Sequence, residues 1–175
     1  MNKKLTRLVI TALFAALTYV ATSIIRIPTV GTNGYVNIGD TIVLLSAWMI
    51  GGAYGGLAAG IGSALADLLA GYGSYVPGTF VIKFLMAIAA YLIFKTVQKL
   101  NISPVVGYVL GGIAAEVIMI AGYFLYESTL LGYGLAAAAS IGSNAIQGVS
   151  GFVLGFAVIL VLERAKAVQQ VKKYV

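Results

Sequence analysis

Long apolar runs dominate the chain, and short polar clusters punctuate them. No charged side chain occurs between residues 8 and 25. A membrane helix needs about 20 predominantly apolar residues, so a first span is predicted over residues 5–25. Residues 26–40 read RIPTVGTNGYVNIGD, and their Pro, Gly and Asn make them a loop. The next apolar stretch is divided by GGAYGG at residues 51–56, which predicts helices over 38–51 and 54–71. The first of these is short for a full crossing, so it is tilted or only partly crosses. GYGSYVPG (residues 71–78) is a second loop, and further helices are predicted over 79–97, 105–126 and 135–162. Pro104 suits the first turn of the fifth helix. ESTLLGYG (residues 127–134) reads as a short turn region, and ERAKAVQQVKK as a charged tail.

Composition sharpens this picture. The chain is 61% hydrophobic and 9% charged, against about 45–50% apolar and about 25% charged in soluble domains. One membrane-embedded domain over residues 1–175 is expected, all-α, with six transmembrane helices. Residues 1–21 could pass for a signal peptide, but five further apolar segments follow, so they read as a retained first helix. The net charge of +6 reads as a topology signal rather than a nucleic-acid footprint. Lys3, Lys4 and Arg7 lie at one terminus, and Arg164, Lys166, Lys172 and Lys173 at the other. Lys95 and Lys99 lie in the connection on the same side, while the opposite loops hold only Arg26. Both termini are therefore expected to be cytoplasmic, with the longer Gly-, Tyr- and Asn-containing loops outside. The chain has no Cys and no His, which excludes disulfides, Cys/His metal sites and Ser-His-Asp or Cys nucleophiles. No metal and no cofactor are expected.

Polar residues at membrane depth are costly and mark candidate sites. Asp67 and Lys83 lie about one turn from the external ends of the third and fourth helices; they form a structural ion pair, or Lys83 faces a polar ligand while Asp67 holds it. Glu116 lies mid-helix, and Asn144 and Gln147 reach comparable depth on the sixth helix. Tyr123 lies on the face of Glu116. This set either hydrogen-bonds and stacks on a small heteroaromatic ring or joins neighbouring helices. Asp40 reads as an N-cap, and Asn33, Tyr35 and Asn37 could cover a pocket. Small residues form a second pattern: Gly56, Gly60 and Ala64 on the third helix, and Gly148, Gly151 and Gly155 on the sixth, allow close packing. Ala12 and Ala16 on the first helix serve internal packing or form a docking face.

The segments TALFAALTYVAT, YVNIGDTIVLLSAWMIGGAYGGLAAGIGSALADLLAGY and YVPGTFVIKFLMA resemble the substrate-binding S-component of energy-coupling-factor (ECF) transporters, across essentially the whole chain. The resemblance implies a six-helix, plasma-membrane subunit of an ABC-type importer. It would capture a vitamin outside with high affinity, then join a transmembrane coupling subunit and two cytoplasmic ATPases. No G-x-x-x-x-G-K-[ST] phosphate loop occurs, so any ATPase lies elsewhere. Ala12 and Ala16 match the family's docking motif. The region where the family holds its ligand contains Asn37, Lys83, Glu116, Tyr123, Asn144 and Gln147. The chain looks most like the hydroxymethylpyrimidine or pyridoxine branch, with riboflavin open. A membrane enzyme is disfavoured by the lack of paired acids and His. A self-sufficient transporter is disfavoured by the lack of an inverted repeat.

Overall fold

The computed structural model describes residues 3–29 and 32–174. Among them are seven α-helices: α1 (Lys3–Ile24), α2 (Asp40–Met49), α3 (Gly52–Leu69), α4 (Val76–Lys99), α5 (Pro104–Leu125), α6 (Ala139–Arg164) and α7 (Ala167–Lys172). A short antiparallel hairpin, β1 (Ile27–Pro28) and β2 (Tyr35–Val36), lies between α1 and α2, with Ile27 opposite Val36. Four segments have the length and apolarity of membrane spans: Lys3–Ile24, Val76–Lys99, Pro104–Leu130 and Gly134–Arg164.

The predicted second span takes a different form. At 1.5 Å per residue, the ten residues of α2 cover only about 15 Å of a roughly 30 Å hydrocarbon core. An apolar helix of that length suits a buried core position. Val43, Leu44, Leu45, Ser46, Ala47, Trp48 and Met49 are all buried, and α2 packs against α3, α4 and α6. The break after it is tight. Gly51 has φ +69° with the Tyr91 ring against it, and α3 starts at Gly52. A side chain at position 51 would meet both an unfavourable backbone and an occupied space.

Helix faces follow the inverted logic of a lipid-facing bundle. On α1 the buried residues are Thr6, Thr11, Phe14, Thr18 and Thr22, whereas Leu5, Leu8, Val9, Leu13, Leu17 and Val20 are exposed. The glycine spacings seen in the sequence mark close crossings. A Cβ at Gly60 would lie 2.9 Å from the Phe80 carbonyl oxygen of α4, and one at Gly151 would lie 2.6 Å from Asp40 Cβ on α2.

Two expected irregular regions are helical. The turn predicted over residues 127–134 holds the π-helical turn Tyr126–Leu130, continuous with α5, and the start of a 3-10 turn, Gly134–Ala138, that leads into α6. The charged tail forms α7, which folds back so that Val168 is fully buried. Trp48 meets the Tyr108 ring edge-on at 5.1 Å between centroids, and Phe94 stacks on Tyr108 at 4.7 Å. The Tyr108 hydroxyl donates to Glu163 Oε1 at 2.5 Å, and burial lowers the Lys172 ammonium below the ordinary lysine range.

Candidate ligand-binding site

The up-and-down course of the helices brings six helix ends to the hairpin. These are the starts of α2, α4 and α6 and the ends of α1, α3 and α5. Thr29, Gly34, Tyr35 and Asn37 come from the hairpin region; Asp67, Tyr72, Tyr75, Thr79, Tyr123, Glu127, Asn144 and Gln147 come from the helix ends and their connections. Together they enclose a free space of about 30 Å³.

A closed polar tier forms the floor. The Lys83 ammonium pairs with the Asp40 carboxylate, their side chains 2% and 0% exposed. Gln147 Nε2 donates to the second Asp40 oxygen at 2.7 Å. Gln147 Oε1 accepts from the Asn37 backbone N–H at 2.9 Å and from Asn37 Nδ2 at 3.2 Å, and Asn37 Oδ1 accepts from the Gly39 N–H at 2.8 Å. The floor therefore ties α2, α4, α6 and the hairpin together.

A second tier lies nearer the hairpin. The Tyr35 hydroxyl donates to Asp67 Oδ1 at 2.6 Å, which fastens β2 to the end of α3. The Tyr75 hydroxyl donates to Glu127 Oε1 at 2.9 Å, and the Ser140 hydroxyl donates to Glu127 Oε2. Thr79 and Tyr123 hydroxyls share a 3.0 Å bond. Burial, reinforced by Asp67, pushes the Tyr35 phenol above its ordinary range, and burial with Glu127 does the same for Tyr75. Both phenols hence stay protonated donors at neutral pH. Four rings run around the cavity in sequence: Tyr35 to Tyr72 at 4.8 Å, Tyr72 to Tyr75 at 6.5 Å, and Tyr75 to Tyr123 at 6.5 Å.

Of the residues singled out in the sequence, Tyr35, Asn37, Asp67, Tyr123, Asn144 and Gln147 line the cavity. Lys83 and Glu116 do not. Lys83 lies at the floor, its ammonium 5.5 Å from the Tyr123 ring centroid. Glu116 borders an apolar groove between α5 and α6 with Val117, Ile120, Gly148 and Phe152, and neither of its carboxylate oxygens has a hydrogen-bond partner. Three expected pairings are corrected. Lys83 pairs with Asp40 and not Asp67, because Tyr35 reaches Asp67 from the hairpin. Asp40 does not cap α2: Gly39 holds the cap position without a side-chain hydrogen bond, and Asp40 turns its carboxylate into the core. Glu116 does not join Asn144 and Gln147, since Gln147 is engaged by Asp40 and Asn37.

Sequence reasoning passed over Asp40, Tyr75 and Glu127 as site residues. A signal was available. The chain has only five acidic residues, and a buried acid at membrane depth is expensive, so each acid merited a search for partners. Outside the cavity, Ala12 and Ala16 are exposed on α1. With Thr11, Tyr54, Leu57 and Ile61 they line an apolar groove of about 590 Å³ between α1 and α3.

Comparison with known proteins gives consistent matches. Residues 2–164 match the family model of the ECF-type riboflavin transporter S component. An uncharacterized protein from the gap 3' region of Pyrococcus woesei is 37% identical over 136 residues, 78% of this chain and 87% of that one. The thiamine precursor transporter HmpT of Lactococcus lactis subsp. cremoris (strain MG1363) is 26% identical over 164 residues, covering 93% of this chain and 91% of HmpT. A solved S component of a bacterial ECF transporter superposes with TM-score 0.63 at 20% identity, over 94% of this chain and 97% of that one. The last likeness speaks to the fold.

Proposed function

From the premise that the chain belongs to the ECF-type riboflavin transporter S-component family, whose members serve vitamin uptake, we propose that the cavity under the hairpin is the capture site for a one-ring vitamin precursor of the hydroxymethylpyrimidine or pyridoxine type. The carrying observation is the lining itself: four tyrosine rings with amides and hydroxyls around one small space. Asn37, Tyr123, Asn144 and Gln147 are the proposed contacts, with Lys83 holding the floor beneath them. The free space is about 30 Å³, against roughly 300–1,000 Å³ for small-molecule pockets. Entry therefore requires the hairpin or its tyrosines to move. A single ring asks less displacement than the three fused rings of a flavin. The likeness to HmpT, a thiamine precursor transporter, favours the same choice. Flavin is the second reading, favoured by the description of the matching family.

The cavity faces outward in this reading, and both termini are cytoplasmic. Basic residues support that placement, because Lys3, Lys4, Arg7, Lys95, Lys99, Arg164 and Lys166 lie at the helix ends away from the hairpin. All six helices α1–α6 lie within the plasma membrane as one substrate-binding domain, α2 buried inside the bundle. The exposed groove with Ala12 and Ala16 is the docking face for the transmembrane coupling subunit, which works with two ATPases; small residues permit close helix approach. Heating the purified protein and identifying released small molecules by mass spectrometry tests the ligand. A near-stoichiometric pyrimidine or pyridine supports the reading. A flavin replaces it with the second. Failure to release or bind any of these rings sinks it.

A further inference from the structure

The lining of this cavity is unbalanced in charge. Asp67 and Glu127 both line it, 5% and 2% exposed. No Lys or Arg is among the lining residues. Lys83, the nearby cation, is committed to Asp40 below the floor. The lining carboxylates accept hydrogen bonds from hydroxyls instead: Tyr35 for Asp67, and Tyr75 and Ser140 for Glu127. Lys83 acts on Asp67 electrostatically from the floor, but among the described residues neither lining carboxylate makes an ion-pair contact, the partner that best offsets its desolvation.

We propose that this site selects a positively charged aromatic ring over its neutral isostere and over any phosphorylated form. The proposal rests on the capture-site reading above and names the ligand's charge class. Three features carry it. The two carboxylates supply the counter-charge. The belt Tyr35–Tyr72–Tyr75–Tyr123, with successive centroids no more than 6.5 Å apart, offers ring faces to a cation, an attraction that grows when water is excluded. Asn144 is the third feature. It is 7% exposed and lines the cavity, and its side chain makes no hydrogen bond among the described residues. Its amide is thus free to orient a ring substituent. A phosphate ester would meet two carboxylates and no cation in the lining. A protonated aminopyrimidine or a quaternised ring nitrogen fits this lining; a neutral flavin gains nothing from the carboxylates.

The test uses the full chain in nanodiscs of phosphatidylcholine, whose surface carries no net charge. Isothermal titration calorimetry at neutral pH compares 3-(hydroxymethyl)-1-methylpyridinium with uncharged 3-(hydroxymethyl)pyridine. 4-Amino-5-hydroxymethyl-2-methylpyrimidine serves as a third ring. The pyridinium should bind about tenfold tighter than the neutral ring, the ratio expected of a desolvated cation–π contact. Asp67→Asn and Glu127→Gln should each bring that ratio towards one. If either variant fails to fold, Tyr72→Leu, which keeps both carboxylates, should lower the ratio too. Equal or tighter binding of the neutral ring overturns the proposal, as does a ratio that none of the variants changes. If the aminopyrimidine binds but the pyridinium shows no advantage, charge selection fails and the capture site stands. If no ring binds, both fail.

Discussion

Lys83→Met tests whether the cavity floor is held by charge. Lys83 and Asp40 have side chains 2% and 0% exposed, so water screens their interaction little. Removing the ammonium leaves a buried carboxylate with Gln147 Nε2 as its remaining side-chain donor. Breaking one partner of such a pair costs about 3–5 kcal/mol. The same chain with both Asp40→Asn and Lys83→Met carries no unpaired charge, and replacing both partners of a buried pair is often close to neutral. The double variant should therefore be more stable than the Lys83→Met single. Trp48, the chain's single tryptophan, is 2% exposed at the far end of α2. Its fluorescence reports unfolding in detergent micelles without a label. For a chain of this size, about 1 kcal/mol moves Tm by about 2–4 °C, so Lys83→Met should lower it by roughly 6–20 °C. A loss below about 1 kcal/mol for the single variant, or a double variant as unstable as the summed singles, would refute an ion pair that stabilises through mutual compensation.

Four further outcomes follow from the same geometry. Tyr35→Phe removes the donor to a buried carboxylate, worth about 1.5–3 kcal/mol, so the hairpin should loosen and the ligand off-rate in stopped flow should rise about ten- to hundredfold; an unchanged off-rate removes the latch. Tyr35 and Tyr75 have phenols raised above their ordinary range, so the folded chain keeps those protons longer than the unfolded one. Stability from these groups is complete below about pH 10 and declines as pH climbs above it. The folded Tyr35→Phe/Tyr75→Phe double variant should thus show the wild-type phenolate absorbance amplitude, and a reduced amplitude counts against the shifts. Ala12→Trp and Ala16→Trp should each block uptake through the coupling subunit and leave ligand affinity within about twofold, because bulk prevents close helix approach; lost affinity would put the groove in the binding site. Glu116→Leu should raise stability by about 1–3 kcal/mol, since both buried oxygens lack a partner, with ligand affinity unchanged. A lower Tm or weaker binding would return Glu116 to the ligand.

The helices were legible where length and apolarity sufficed. Pro104 starts α5 as expected, and the small-residue spacings mark true crossings. α2 was harder, because an apolar run gives no sign of whether lipid or protein surrounds it. α7 was hidden by its lysines: Val168 and Val171, three apart, carry the packing face among Lys166, Lys172 and Lys173. The site was legible in its residue types but not in its partners. Asp67 and Lys83 share a depth along antiparallel neighbours, and depth cannot say which carboxylate an ammonium reaches. The decisive contacts bridge 43 residues from Asp40 to Lys83 and 107 from Asp40 to Gln147. Only the fold of the hairpin, which turns Tyr35 onto Asp67, resolves the choice.

The two polar tiers then separate by what their atoms still have to offer. In the floor, both Asp40 oxygens, both Gln147 polar atoms and both Asn37 polar atoms are bonded within the protein. A ligand that took one of these bonds would leave its former partner buried and unmet, a cost comparable to the bond gained. The floor is therefore a fixed surface that sets shape. In the upper tier the Asn144 amide is uncommitted, and the side-chain hydrogen bonds to Asp67 and Glu127 come from hydroxyls that can rotate to share a new partner. Binding energy comes from groups whose bonds improve on contact, so in the proposed capture site recognition would fall to the upper tier and precision to the floor. By that criterion the proposed discriminators are Asn144 and the two lining carboxylates, while Lys83 would act through the floor it holds.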